Sequence, residues 1–289
     1  MGYHIFTDAT ADMSAAMLSG LPEVTVLPMD ITIGTEPYTY GPEGNITIEA
    51  FYQAQRGGKF AGTSQINAMT YQRYFEPVLK RREDILYLCF SSGLSGTFQA
   101  AQLCARQLRE RYPERKIICM DTLCASVGEG FLVCEALRRQ RDGAGIAELA
   151  EWVVDHRLHV CHWFTVDIFD HLKHGGRVSA AAAVVGTALN IKPMLHVSVH
   201  GTLEVASKLR GSKHAMHAQM QRFKQGWMPE LGRLVVIGHG DCPEKAKALQ
   251  MLVAQQAPDA DIHTAPIGPI IGSHTGPGML ALIYWGDNR

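Results

Sequence analysis

The sequence predicts an α/β protein in two parts, an N-terminal parallel α/β layer and a C-terminal α+β domain with antiparallel strands. Three observations lead there. Apolar runs of strand length alternate with amphipathic helical stretches through residue 155, the pattern of a parallel sheet with helices on its faces. At the centre of that alternation, residues 85–90 form an apolar run, residues 91–96 a Ser/Gly loop, and Thr97 onward a helix. Beyond residue 158 the pattern changes to strands parted by turn residues, with His200-Gly201 as a hairpin turn. The 289 residues divide accordingly into domains 1–157 and 158–289.

Taken in order, residues 3–6 read as a first strand, followed by the capping-rich Thr7-Asp8-Ala9-Thr10-Ala11-Asp12 and a short helix through Met17-Leu18. Residues 24–27 and 31–33 read as strands, and 39–45 as a Gly/Pro loop. Residues 48–55 suit a helix behind Thr47, stopped by Gly57-Gly58. A polar, small-residue segment, Gly62-Thr63-Ser64-Gln65, precedes an amphipathic helix at 70–82. In the helix after the central loop, Phe98, Ala101, Leu103 and Leu108 are expected on one packed side. A strand at 116–120 and helices at 125–141 and 144–155 complete this half, with Gly128 and Gly130 marking a close approach. Asp8 and Asp121 each follow a strand and read as helix caps.

The second half opens with a strand at 160–166 and a short helix at 167–174 closed by Gly175-Gly176. Arg177-Val178-Ser179 leads into an alanine-rich helix to Leu189. Strands at 191–199 and 202–207 flank the hairpin turn, and a helix covers 212–225. A strand at 234–238, a helix from Pro243 to Gln256 and a strand at 262–265 follow. Residues 262–286 carry no charge and are long enough to cross a bilayer, but Pro266, Pro269 and Pro277 with Gly268, Gly272, Gly276 and Gly278 break any such helix. A buried loop leading into a strand at 279–285 is the expectation, without stable membrane insertion.

Composition narrows the function. Apolar residues make up 46% and charged residues 19%, with a net charge of −1, which supplies no basic field for nucleic acid. The seven cysteines are scattered without a C-x-x-C, as free thiols in a reducing compartment would be, and no signal peptide opens the chain. A cytoplasmic protein is expected.

Strand, small-residue loop and helix are how an α/β protein builds an anion site, with helix-start N–H groups and the Ser91, Ser92, Ser95 and Thr97 hydroxyls as donors; an ordinary βα turn with a Ser N-cap is the equal alternative on this stretch alone. The named motifs do not match. No Lys precedes the Ser/Thr of a phosphate loop, Gly93 and Gly96 have the wrong spacing for a dinucleotide fingerprint, and Gly96 comes one residue early for a nucleophile elbow.

A set of motifs along nearly the whole chain resembles the DegV family of bacterial lipid-binding proteins, which includes the fatty-acid-carrier subunit of fatty acid kinase. The matching residues are Asp8 to Asp12, Thr63-Ser64-Gln65, Ser91 to Thr97, and Asp121 with Ser126, Gly128 and Gly130. Further on come His171 to Ser179, Asn190-Ile191-Lys192-Pro193, His239-Gly240-Asp241 and the run from Ile267 to Gly278. Ala9, Ile66, His174 and His200 depart from the family's usual Ser, Pro, Lys and Asp.

The resemblance implies a long-chain fatty acid between the two domains, with the late Gly/Pro loop 266–278 returning to the ligand site. Its carboxylate would be held by Thr63 and Ser95, with Ser64, Gly96, His274 and Thr275 beside it. Arg177, and less securely Arg210, would dock an ATP-binding kinase subunit that converts the bound acid to an acyl phosphate. No catalytic residue, cofactor or metal is then expected in this chain. The chemistry agrees, since each buried CH₂ contributes about 0.8 kcal/mol, or roughly 11 kcal/mol for some 14 carbons before ordering costs. Phe90, Ala183, Val184, Val185, Ile191, Met194, Ile270, Ile271 and Leu280 either line the tunnel or form ordinary core. Two other readings stay open: a serine hydrolase or thioesterase using Ser95 and His274 with Asp8 or Asp121 as orienter, and a metal site at His159-Val160-Cys161-His162.

Overall fold

The computed structural model describes residues 2–178, 191–287 and 289. The first part runs β1 (Tyr3–Asp8), α1 (Ala15–Leu18), β2 (Val24–Leu27), β3 (Met29–Ile33), β4 (Glu36–Tyr40), α2 (Ile48–Arg56) and β5 (Ala61–Thr63). It continues through α3 (Ala68–Lys80), β6 (Asp84–Cys89), α4 (Thr97–Arg111), β7 (Ile117–Asp121), α5 (Val127–Arg141) and α6 (Ile146–His156). The second part runs β8 (Val160–Thr165), α7 (Asp170–Gly175), β9 (Ile191–Val197), β10 (Leu203–Arg210) and α8 (Ser212–Gly226). It ends with β11 (Leu234–His239), α9 (Pro243–Gln256), β12 (Asp261–Pro266), α10 (Pro269–Thr275) and β13 (Leu280–Trp285). The alanine-rich helix expected to Leu189, with Ala183, Val184 and Val185, falls outside the described residues.

The α/β expectation holds. One sheet, in the order β2-β1-β6-β7, is parallel throughout and is drawn from the first part. Both its faces are covered, so β6 is apolar without alternation. Ile85, Tyr87 and Cys89 pack with Phe75, Tyr71 and Ala101 of α3 and α4, while Leu86 and Leu88 join Phe131 of α5 and Leu149 of α6. The second sheet has the order β10-β9-β8-β13-β11-β12. Helix α5 lies against this sheet too, with Phe131 edge-on to Trp285 at 4.9 Å, so α5 sits between the two sheets. On the far face, Trp163, Met194, Leu280 and Tyr284 pack against Phe223 of α8 and Leu249 of α9.

Several local expectations are corrected. The second sheet is antiparallel except for β11 and β12, which pair in parallel across the α9 crossover. The polar segments around 39–45 and 62–65 contain strands β4 and β5, which flank β3 in a third, antiparallel sheet. Short polar strands of three to five residues carry too little alternation to be read from sequence. The late Gly/Pro stretch holds a helix, α10, because Pro269 sits in its first turn, where the missing N–H costs nothing, and no proline follows before Gly276. Asp8 and Asp121 cap no helix: Ser14 caps α1, and Asp121 Oδ1 accepts from Ser92 N (3.1 Å) and Leu123 N (3.0 Å), tying two loops together. Leu103 is 58% exposed, and Cys104 and Ala105 take the buried side of α4 with Ala101 and Leu108. Thr47 does cap α2, accepting from Ala50 N, and Gly176 closes α7 at φ 65°.

Candidate functional site

Between the sheets lies a cavity enclosing about 780 Å³ of space, part of it open to solvent. Strand periodicity builds its apolar walls. Alternate residues His162 and Phe164 of β8 point into it, as do Ala281 and Ile283 of β13, their direct cross-strand partners. Phe90 and Leu94 come from the central loop, Val197 and Leu203 from the hairpin, and Ile270 and Ile271 from α10. Of the residues expected in the tunnel, Phe90, Ile270 and Ile271 line it. Met194 and Leu280 point to the opposite face of their strands and make core with α8 and α9, and Ile191 is also outside the lining.

One end of the cavity is polar. Thr63, Ser64, Ser95, His274 and Thr275 all line it, with Gln65 and Arg177. Thr63 is fixed by the β3–β5 ladder, opposite Ile31, and Ser64 N donates to Asp30 O (3.1 Å). His274 lies in the last turn of α10, and its Nε2 is 2.9 Å from Thr63 Oγ1. Ser95 Oγ accepts from Thr97 N (3.3 Å) and lies 2.9 Å from Thr97 Oγ1, at the start of α4. Gly96 lines no wall, but it lets the two loops meet: a Cβ there would lie 2.2 Å from Gln65 Oε1. Thr275 donates its hydroxyl to Ile271 O (3.1 Å) within the helix, which leaves only lone pairs for a ligand.

His274 is packed tightly. A Cβ on Gly175 would lie 2.1 Å from its Nδ1, so α7 and α10 approach through a glycine that nothing larger could replace. Burial first, then the charges of Arg177 and His174, lower its pKa to about 4, so the ring is neutral near pH 7. Its Nδ1 is buried with no hydrogen-bond partner among the described residues. Arg177 bridges the mouth, donating to Leu94 O (3.3 Å) on one side and to Gly175 O (2.6 Å) on the other. Arg210 is exposed at the end of β10 and is not part of the cavity.

Among the described residues, no hydrolase relay is assembled. His274 pairs with Thr63, Asp121 holds loop amides, and Asp8 accepts from Tyr87 Oη (2.8 Å) and Thr10. The His159–His162 cluster is likewise engaged: His159 Nδ1 faces Gly286 O and His162 Nδ1 faces Val160 O, while Ala125 N donates to His162 Nε2 (3.3 Å). Among the described residues, no group of three or more His, Cys, Asp or Glu is arranged to hold a metal ion. Also among them, no helix is long and apolar enough to cross a membrane.

Sequence reasoning missed Thr10, Ser126 and His162 as cavity residues. The signal available for His162 was Gly128. The expected close approach there is onto this ring, with a Cβ on Gly128 falling 2.0 Å from His162 Nε2. Gly130 likewise admits Ala11 O, which a Cβ would meet at 2.1 Å.

Two sheets closed over a largely apolar cavity with a hydroxyl- and imidazole-lined end have the form of a site for a ligand with an apolar body and a polar head. The comparisons agree with that class. Residues 3–287 match the family described as "Uncharacterised protein, DegV family COG1307", and the chain belongs to the DegV family. It is 38% identical to a DegV domain-containing protein of Clostridium perfringens, over 99% of this chain and 98% of that one. Among solved structures it is similar to a DegV family protein from Thermus thermophilus described for its fatty acid binding. The identity there is 28%, with a TM-score of 0.86 and coverage of 99% and 100% of the two chains. It also shares the fold of the Streptococcus pneumoniae fatty acid kinase (Fak) B3 protein, which was loaded with linoleic acid. That likeness has a TM-score of 0.87 at 23% identity and covers 99% of this chain and 100% of the other.

Proposed function

We propose that this protein binds one long-chain fatty acid in the cavity between its two halves, 1–157 and 158–289, and presents the carboxylate to an ATP-dependent kinase partner that forms the acyl phosphate. The observation that carries the reading is the pairing of Thr63 with His274 at a polar end of a largely apolar cavity. The fatty acid binding of the Thermus thermophilus relative supports it.

The head-group chemistry follows from the proton inventory. With His274 neutral and Nε2 carrying its proton, the ring donates to Thr63 Oγ1, and the Thr63 hydroxyl proton is free for the carboxylate. Ser95 would behave alike: Thr97 N donates to Ser95 Oγ, and with the Thr97 hydroxyl turned to donate as well, the Ser95 proton is free for the ligand. Two neutral donors orient a carboxylate through charge-assisted bonds without pinning it in an ion pair, so an oxygen stays accessible for phosphoryl transfer. Arg177, exposed beside the polar residues of the cavity, would meet the docked partner. Arg210 would belong only to the partner surface. Free thiols at all seven cysteines suit a cytoplasmic setting.

The test is hexadecanoate uptake by the delipidated protein. Stoichiometric uptake that Ser95→Ala weakens without lowering the melting temperature supports the site; wild-type affinity in Ser95→Ala contradicts it.

A further inference from the structure

A second concavity carries more positive than negative charge. It encloses about 790 Å³ of space, part of it open to solvent, and shares no lining residue with the cavity described above. Separate segments meet there. Helix α2 brings Arg56, the loop after β8 brings Asp167 and Ile168, β9 brings Lys192, and the start of α9 brings Cys242 and Lys245. Pro277 and Gly278, between α10 and β13, complete the lining.

One carboxylate is shared by two ammonium groups. Lys192 Nζ lies 2.9 Å from Asp167 Oδ1, and Lys245 Nζ lies 2.7 Å from Asp167 Oδ2. Gly278 hems that carboxylate in: its backbone is left-handed at φ 87°, and a Cβ there would lie 2.3 Å from Asp167 Oδ2. Arg56 pairs with Asp241, Nε to Oδ2 at 2.6 Å. Two carboxylates thus answer three cations. The Cys242 thiol does not make up the difference, because burial pushes its pKa up to about 11 and it donates to Met279 O (3.2 Å). Burial works to raise the Asp167 pKa, yet the hydrogen bonds from Lys245 and Lys192 hold it below the usual carboxyl range, as a positive surrounding requires. An ion pair that only braced the fold would need one ammonium for Asp167. The Lys192 side chain is 15% exposed, so the second ammonium is desolvated with no charge of its own to neutralise.

The donors can be counted. An ammonium has three N–H groups and a guanidinium five. Among the described residues, Lys245 uses one, on Asp167, and Lys192 uses two, on Asp167 Oδ1 and on the Asp167 carbonyl (3.4 Å). Arg56 uses Nε and one Nη2 proton, both on Asp241. All three side chains therefore keep N–H groups to give. A phosphate group, with three strong acceptor oxygens and up to two charges, can take a bond from each of them, which a flat carboxylate does less well. The space also exceeds what a bare ion fills. Ile168, 44% exposed, and Pro277 add apolar surface beside the cations.

We propose that this concavity is a binding site for a phosphomonoester, its phosphate held by Lys192, Lys245 and Arg56 and its organic body resting on Ile168 and Pro277. The site stands apart from the fatty-acid cavity and does not depend on what that cavity holds.

Calorimetric titration of the full chain with phenyl phosphate, inorganic phosphate and benzoate tests it. Phenyl phosphate offers the phosphate with an apolar body, inorganic phosphate the anion alone, and benzoate the body with a carboxylate. Three charge-assisted hydrogen bonds, less the cost of ordering, support a dissociation constant of about 1 mM or tighter for phenyl phosphate. Inorganic phosphate should bind roughly three- to tenfold more weakly, and benzoate at least about tenfold more weakly. Lys192→Met and Lys245→Met should each weaken phenyl phosphate at least about tenfold. Lys247→Met removes an exposed cation of α9 outside the lining and should leave the affinity within about twofold. No saturation by about 20 mM phenyl phosphate overturns the inference. Benzoate or inorganic phosphate binding as tightly as phenyl phosphate overturns the ligand class, and an equal loss in Lys247→Met reduces the effect to net charge and overturns the site. If a lysine variant does not fold, amide shifts of the wild-type chain titrated with phenyl phosphate decide: shifts centred on Ile168, Lys192 and Gly278 support the site, and shifts centred elsewhere overturn it.

Discussion

Thr63→Val tests the head-group geometry most sharply, because it removes one hydroxyl and keeps the shape. That hydroxyl has two roles: it meets His274 Nε2 at 2.9 Å, and it supplies a donor to the proposed carboxylate. A hydrogen bond to a charged group is worth about 1.5–3 kcal/mol, so the dissociation constant for hexadecanoate should rise roughly 10- to 150-fold. The free protein should also lose stability. Among the described residues His274 Nδ1 already has no partner, and the substitution removes that of Nε2 too, a buried polar loss of about 1–3 kcal/mol. Thr63→Ser restores the hydroxyl and should recover affinity to within a few-fold of wild type. Calorimetric titration gives the affinities and thermal melting the stability. Wild-type affinity in Thr63→Val, with Thr63→Ser also unchanged, would show that the carboxylate does not lie at Thr63.

Three other outcomes are expected. Arg177→Ala should leave hexadecanoate affinity within a few-fold while reducing acyl phosphate formation by a reconstituted kinase; equal loss of both would make Arg177 a structural bridge between Leu94 and Gly175. His274 takes up a proton near 6.5 when unfolded but only at about 4 when folded, so stability should rise with pH between those values. Roughly 3 kcal/mol should be lost on acidification from 6.5 to 4, and His274→Gln should flatten this part of the profile in chemical denaturation series. Gly128→Ala drives a Cβ to within 2.0 Å of a ring nitrogen of buried His162 and should cost more than about 2 kcal/mol of stability; a melting curve matching wild type would mean that the ring moves freely.

How much of this was legible in the sequence depended on the range of the interaction. The parallel layer announced itself because burial on both faces makes a strand such as β6 continuously apolar. Helix α2 was readable from Thr47 and Gly57, whose capping is local. Strand β5 was not, since three residues reading Ala-Gly-Thr become a strand only by pairing with β3. That pairing is what positions Thr63, so the residue could be named from a family motif but not placed from its neighbours. The contacts around Thr10 were hidden for the same reason. Thr10 meets Glu129, and Asp12 meets Ser126 and Gly268, only once β1, α5 and α10 converge. Asp8, taken alone, resembles any capping aspartate.

The central claim is that the cavity holds a fatty acid, and native mass spectrometry of the protein as purified, followed by organic extraction, tests it directly. The account predicts a mass increment of one long-chain monocarboxylic acid per chain, released on extraction and restored by adding it back to the delipidated protein. A chain that arrives empty and takes up no added fatty acid would contradict it.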